Sequence, residues 1–120
     1  MSRKINVLLV DDSRTVLAQL ERVLSEVDDL AIVGMARDGA SAIRMVAETQ
    51  PDLVFMDIVM PEMDGYETCR LLKADPDTKH IPVVFVTSKN AKSDKVWAQM
   101  QGGKDLVAKP FKDAEIAAHI

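Results

Sequence analysis

Cysteine, histidine and aromatic rings are scarce in this 120-residue chain, which has one cysteine, two histidines, three phenylalanines, one tryptophan and one tyrosine, few rings for a flavin pocket. Cys69 alone excludes an intramolecular disulfide, and His80 and His119 without a cysteine partner exclude a zinc site of the usual spacing. A reducing compartment fits best. An excess of basic charge is also missing: nineteen acidic against fifteen basic side chains give a net charge of -4, which argues against a non-specific grip on nucleic acid or anionic membrane. No apolar run approaches membrane-spanning length, and Ile5 to Val10 is too short for a signal-peptide core before Asp11 and Asp12. A cytoplasmic location is expected. No linker, repeat or low-complexity tract interrupts the chain, so a single domain over residues 1–120 is expected. With 48% hydrophobic and 28% charged residues it can bury one core unaided.

Five apolar runs have strand length: Ile5 to Val10, Leu30 to Ala36, Leu53 to Met56, Ile81 to Val86 and Leu106 to Ala108. The first, third and fourth are nearly continuous, as in central strands covered on both faces. Between them lie stretches of helical period. After Ser13, Val16, Leu17, Leu20, Val23, Leu24 and Val27 repeat at steps of three and four. Further helices are expected over Ala40 to Thr49, with Asp38 or Ser41 as cap, over Gly65 to Ala74, over Ser93 to Gln101 with Val96, Trp97 and Met100 on one side, and from Asp113 to Ile120. Strand then helix, five times over, predicts an α/β doubly wound parallel sheet with helices on both faces. Ligands of such sheets bind outside the carboxyl ends of the strands.

Polar residues stand at four of those five ends: Asp11-Asp12, Asp57, Thr87-Ser88 and Lys109-Pro110. Singly, each has a bland explanation, Asp12-Ser13 as a helix cap, Asp57 as a turn residue, Thr87 as a β-branched strand residue. Lys109, directly after a buried strand and before a proline, has no such role. Three carboxylates brought to one edge repel one another unless a cation sits among them. All-oxygen donors suit Mg2+ better than Zn2+.

With these residues in place the sequence resembles the receiver domains of two-component response regulators over essentially its whole length. The resemblance rests on Val10-Asp11-Asp12-Ser13, on Met56-Asp57-Ile58-Val59-Met60-Pro61-Glu62-Met63-Asp64-Gly65, on Val86-Thr87-Ser88 and on Lys109-Pro110-Phe111. It implies a flavodoxin-like fold with strand order 2-1-3-4-5. It also implies that Asp57 becomes an aspartyl phosphate, that Asp11, Asp12, Asp57 and the Val59 carbonyl hold Mg2+, and that Thr87 and Lys109 bind phosphoryl oxygens. The Lys109-Pro110 bond is commonly cis in relatives. A histidine kinase or phosphotransfer domain would be the donor, and a protein target would read the fourth helix, fifth strand and fifth helix, with no direct contact to nucleic acid or membrane. Enzymatic action would stop at self-phosphorylation and slow loss of phosphate.

The chain departs from the family three before Lys109, where Leu106 stands in place of the usual aromatic. Either Leu106 then moves by a smaller amount or the signal leaves through the segment after Thr87, which carries Lys89, Lys92, Lys95 and Trp97 and reads either as a solvated helix face with the indole half buried against the sheet or as a partner surface. Ser93 to Trp97 with Gln101-Gly102 is similar to single-domain regulators of type IV pilus systems. Most of the methionines are expected in the core or in the loop after Asp57. A fifth helix of only eight residues is short for the family and leaves room for a longer natural chain. Two other classes fit the residues less well. A flavin carrier of this fold needs a hydroxyl-rich phosphate loop where Asp11-Asp12 would repel the phosphate, and an aspartate-nucleophile phosphatase places its acids two residues apart on one strand.

Overall fold

In this computed structural model residues 4–88 and 92–120 are described, Lys92 to Asp94 by their backbone alone. The strands are β1 (Ile5–Val10), β2 (Leu30–Ala36), β3 (Leu53–Met56), β4 (Val83–Thr87) and β5 (Asp105–Ala108), and the helices are α1 (Arg14–Ser25), α2 (Gly39–Thr49), α3 (Gly65–Ala74), α4 (Lys92–Met100) and α5 (Asp113–Ala117). All pairings are parallel and the order is β2-β1-β3-β4-β5, as the resemblance implies. The chain leaves β1 for β2 on one side and returns to β3 on the other. The crevice beyond the ends of β1 and β3 is therefore the topological switch point.

The continuous apolar strands divide residue by residue between two cores. Leu8, Val10, Val54, Met56, Val83 and Phe85 face α2, α3 and α4, while Val7, Leu9, Leu53, Phe55, Val84 and Val86 face α1 and α5. Period-2 alternation with both faces covered explains why these runs carry no polar residue. On α1, Leu17, Leu20, Val23 and Leu24 are the buried stripe.

Side chains start the helices where expected. The Ser13 hydroxyl accepts from the Val16 amide at 3.3 Å, and the Asp64 carboxylate accepts from the Glu67 amide at 2.8 Å. For α2 the cap is Asp38, which accepts from the Ser41 amide at 2.7 Å, so Ser41 is the residue capped and not the cap.

Several boundaries differ from expectation, among them α2, which opens one residue early at Gly39, and α4, which spans Lys92–Met100. Ile81 and Pro82 precede β4: the Ile81 amide closes a turn onto the Thr78 carbonyl, and Pro82 has no N–H for a ladder. β5 begins one residue earlier, at Asp105, and α5 ends at Ala117, with His119 and Ile120 closing shorter turns onto Ile116 and Ala117. On α4 the apolar trio faces outward. Val96, Trp97 and Met100 are 60%, 49% and 68% exposed, and Ala98 is the fully buried residue. Just past the helix the chain runs so close to the sheet that a Cβ on Gly103 would strike the Phe85 ring. Of the methionines, Met56 and Met60 are in the core but Met35 joins Met100 at the surface.

Candidate functional site

Three loops build the site. Parallel pairing sets Val10 beside Met56, and the Asp57 amide continues that ladder by donating to the Val10 carbonyl at 2.9 Å. Asp11 and Asp57 thus leave neighbouring strands side by side. The Asp11 amide donates to the Ala36 carbonyl at 3.0 Å, and its Oδ1 accepts from the Ser13 amide at 2.9 Å, so this carboxylate is fixed from both sides. One carboxylate oxygen from each of Asp11, Asp12 and Asp57 lies within 4.8 Å of the others. Asp11 and Asp57 are buried and Asp12 is exposed.

Lys109 enters from the end of β5. Its amide donates to the Thr87 carbonyl at 2.8 Å, tying the last residue of β4 to it, and its Nζ lies 2.8 Å from Asp11 Oδ2 and 3.6 Å from Asp57 Oδ2. The Lys109-Pro110 bond is cis. Thr87 is fully buried, and Val59 stands largely exposed two residues beyond Asp57. Sequence reasoning therefore placed Asp11, Asp12, Asp57, Thr87, Val59 and Lys109 at one edge of the sheet, and the fold brings them there. Lys89 lies outside the described residues, and so does the Lys92 side chain.

The electrostatics show which charge is under strain. Burial pushes the Asp57 carboxyl up from its ordinary value, and the neighbouring Asp11 charge adds to this; Lys109 and the Val59 amide oppose it, and Asp12 raises it further. Asp57 Oδ1 is buried without a hydrogen-bond partner. A single ammonium shared by two carboxylates does not satisfy three. The orphaned oxygen, the all-oxygen donor set and the surplus negative charge fit a hard divalent cation.

Arg37 carries no signal in the local sequence. Its guanidinium donates to the Asp12 carbonyl at 3.1 Å, bridging the β2–α2 and β1–α1 loops. Beside Lys109 a cavity of about 400 Å³ opens between α1 and the segment entering α5, lined by Val16, Gln19, Arg22, Pro110 and Phe111 among others.

Comparison with known proteins agrees with this geometry. The response regulator receiver domain family matches residues 7–120. Among curated relatives, PilH of Pseudomonas aeruginosa is 38% identical over 107 residues, covering 89% of this chain and 87% of that protein. PilG of the same organism is 34% identical over 116 residues, covering 97% and 84%. The chain also spans a quarter of the length of the response regulator PleD of Caulobacter vibrioides, at 37% identity. Among solved structures, the CheX–CheY–BeF3–Mg2+ complex from Borrelia burgdorferi contains a chain that superposes with a TM-score of 0.89 at 25% identity, covering 97% of this chain and 86% of that one.

Proposed function

The chain belongs to the response regulator receiver domain family, and on that premise we propose that Asp57 is its phosphoacceptor, fed by a histidine kinase or phosphotransfer domain. The observation that carries this is the cluster of Asp11, Asp12 and Asp57 at the switch point with Lys109 reaching into it. In this reading Asp11, Asp12, Asp57 and the Val59 carbonyl hold Mg2+, and Thr87 and Lys109 bind phosphoryl oxygens. The ion, when bound, neutralises charge on the phosphoryl group. Lys109 supplies a second cation, and burial keeps bulk water from Asp57. The same carboxylates would repel a flavin phosphate, which disfavours the electron-carrier reading. Mg2+-dependent labelling of Asp57 by a small phosphodonor is the test.

Loss of the phosphoryl group is slow in this proposal. Val59 stands at the mouth of the site, 57% exposed, and has no polar atom in its side chain to orient an attacking water. Val59→Asn should therefore hasten decay of the phosphorylated protein several-fold, followed as loss of label after donor removal. An unchanged decay constant in that variant defeats the explanation.

The output is a protein contact. Exposed Val96, Trp97 and Met100 on α4 give a partner an apolar surface that a solitary domain has no reason to keep. Thr87 ends β4 immediately before the segment that leads into α4, and Leu106, half buried against the core beneath that helix, can repack when Thr87 is drawn inward. Beryllofluoride with Mg2+ should change Trp97 fluorescence, and Thr87→Ala should weaken that change while leaving Asp57 able to accept phosphate. Amide NMR shifts confined to the residues around Asp57, with none on α4 or β5, would rule this route out.

Likeness to PilG and PilH supports a place in chemotaxis-like control of pilus motility. Among the described residues no helix is long and apolar enough to cross a membrane. A cytoplasmic location is part of this proposal. We read residues 1–120 as one receiver unit. A phosphotransfer profile against the histidine kinases of the source organism would identify the donor.

A further inference from the structure

One carboxylate joins three elements at the β5 edge of the sheet. Asp105, the first residue of β5, has its Oδ1 at 3.0 Å from Lys95 Nζ on α4 and its Oδ2 at 3.5 Å from Nε2 of His119, just beyond α5. The Leu106 amide donates to the same Oδ1 at 2.8 Å and fixes the carboxylate's orientation. Burial pushes Asp105 up, but that amide, Lys95 and His119 outweigh it and hold the group below the ordinary carboxylate range. Asp105 therefore stays charged wherever an imidazole titrates.

Other charges surround His119. Lys4 ahead of β1, Asp52 ahead of β3 and Lys104 ahead of β5 line, with His119, a cavity of about 350 Å³ at the amino ends of the strands. Asp52 accepts there from the Asn6 amide at 2.8 Å. On the helix that precedes it, Glu115 is four residues back and accepts from the Lys112 amide at 2.9 Å. Lys95 is the charge that differs from these in one respect: it is carried by α4, the element that follows the Thr87 loop.

We propose that Asp105 is a charge clamp on α4, in which Lys95 holds the helix in its unphosphorylated position and a proton on His119 weakens that hold, so that acid favours the switched form. This rests on the reading that α4 moves when Asp57 is phosphorylated. An imidazolium at one carboxylate oxygen repels the ammonium at the other and takes part of the carboxylate's attraction. When α4 carries Lys95 away, the whole carboxylate is left to His119. The two statements are one coupling free energy seen from either side, so the effect of the proton on switching equals the effect of switching on the proton.

The experiment measures beryllofluoride affinity at fixed Mg2+, at pH 6 and pH 8, by ¹⁹F NMR for the wild type, His119→Gln, Lys95→Met and Asp105→Asn. Amide shifts of Val96 to Gln101 are followed alongside. Effects of pH on the Asp57 site are common to all four proteins and cancel when each ratio is compared with that of His119→Gln. Relative to that variant, the wild type should gain about twofold to threefold in affinity at pH 6, the scale of a partly exposed ion pair. Lys95→Met and Asp105→Asn should lack the gain and bind more tightly than the wild type at pH 8. Equal ratios in the wild type and His119→Gln, with the α4 amides moving, would overturn the clamp and leave the switching proposal intact. Beryllofluoride that binds without moving those amides would overturn both.

Discussion

Acetyl phosphate or phosphoramidate with Mg2+ should place one acid-labile and base-labile phosphoryl group on this protein, at Asp57, and should do nothing when the ion is chelated. Asp57 is buried beside Asp11, and a phosphoryl group would add further negative charge to a cluster that already lacks enough cations. Lys109 reaches both carboxylates, so removing it leaves the transferring group one counter-charge short. Lys109→Ala should lower the labelling rate by about 10²-fold to 10³-fold, the usual cost of a lost oxyanion partner. Asp57→Asn should take no label at all, and undiminished labelling of that variant defeats the assignment.

The same substitution has a consequence for stability that activity alone would not show. Because Asp57 is raised in the folded protein, the native state keeps its proton over a pH range in which the unfolded chain has already lost it. Stability therefore falls as pH rises from the ordinary carboxylate value through the raised one. At neutral pH the wild type carries a repelled carboxylate with an orphaned oxygen. Asp57→Asn should accordingly be more stable by about 1–2 kcal/mol at pH 7, with the advantage shrinking toward pH 4. Mg2+ should raise the wild-type Tm more than that of the variant. A variant that melts below the wild type at pH 7 without Mg2+ would show that Asp57 is not under electrostatic strain.

The candidate site was legible because its members stand at the strands' carboxyl ends, and chain order with right-handed crossovers brings those ends together. Asp11, Asp57 and Lys109 needed no knowledge of side-chain packing. The outer face of α4 did need it. Val96, Trp97 and Met100 share one face of the helix, yet it is Ala98 that packs into the core. A hydrophobic period identifies a face but not what the face meets. Arg37 and the Lys95–Asp105–His119 group were illegible for another reason: their partners come from different elements and follow no local spacing.

Gly65→Ala should be among the most damaging single-methyl additions in the molecule, because it closes the Asp57 loop from behind. Gly65 opens α3, its amide donates to the Ile58 carbonyl at 2.7 Å, and Asp64 before it caps the helix. That hydrogen bond folds the segment after β3 back so tightly that a Cβ on Gly65 would land on the Asp57 carbonyl oxygen, with the Ile58 Cα 2.9 Å away. Both obstacles are backbone, which cannot rotate aside as a side chain can. The Asp57 amide is meanwhile held by the Val10 carbonyl, so the strand cannot retreat without losing its ladder. Either α3 lifts from the sheet, exposing Tyr66, Cys69 and Leu72, or the loop shifts and carries Asp57 away from Asp11 and Lys109. The first costs apolar burial and the second phosphorylation. We expect a loss of about 3 kcal/mol or more in denaturant melts, with labelling at Asp57 much reduced in whatever remains folded. Gly34→Ala is the control, since its Cβ would meet only the ends of the Leu8 and Met45 side chains, at 2.9 and 3.3 Å, and it should cost no more than about 1 kcal/mol. A Gly65→Ala protein that melts with the wild type and accepts phosphate at the same rate would mean that the Asp57 loop does not depend on this close approach.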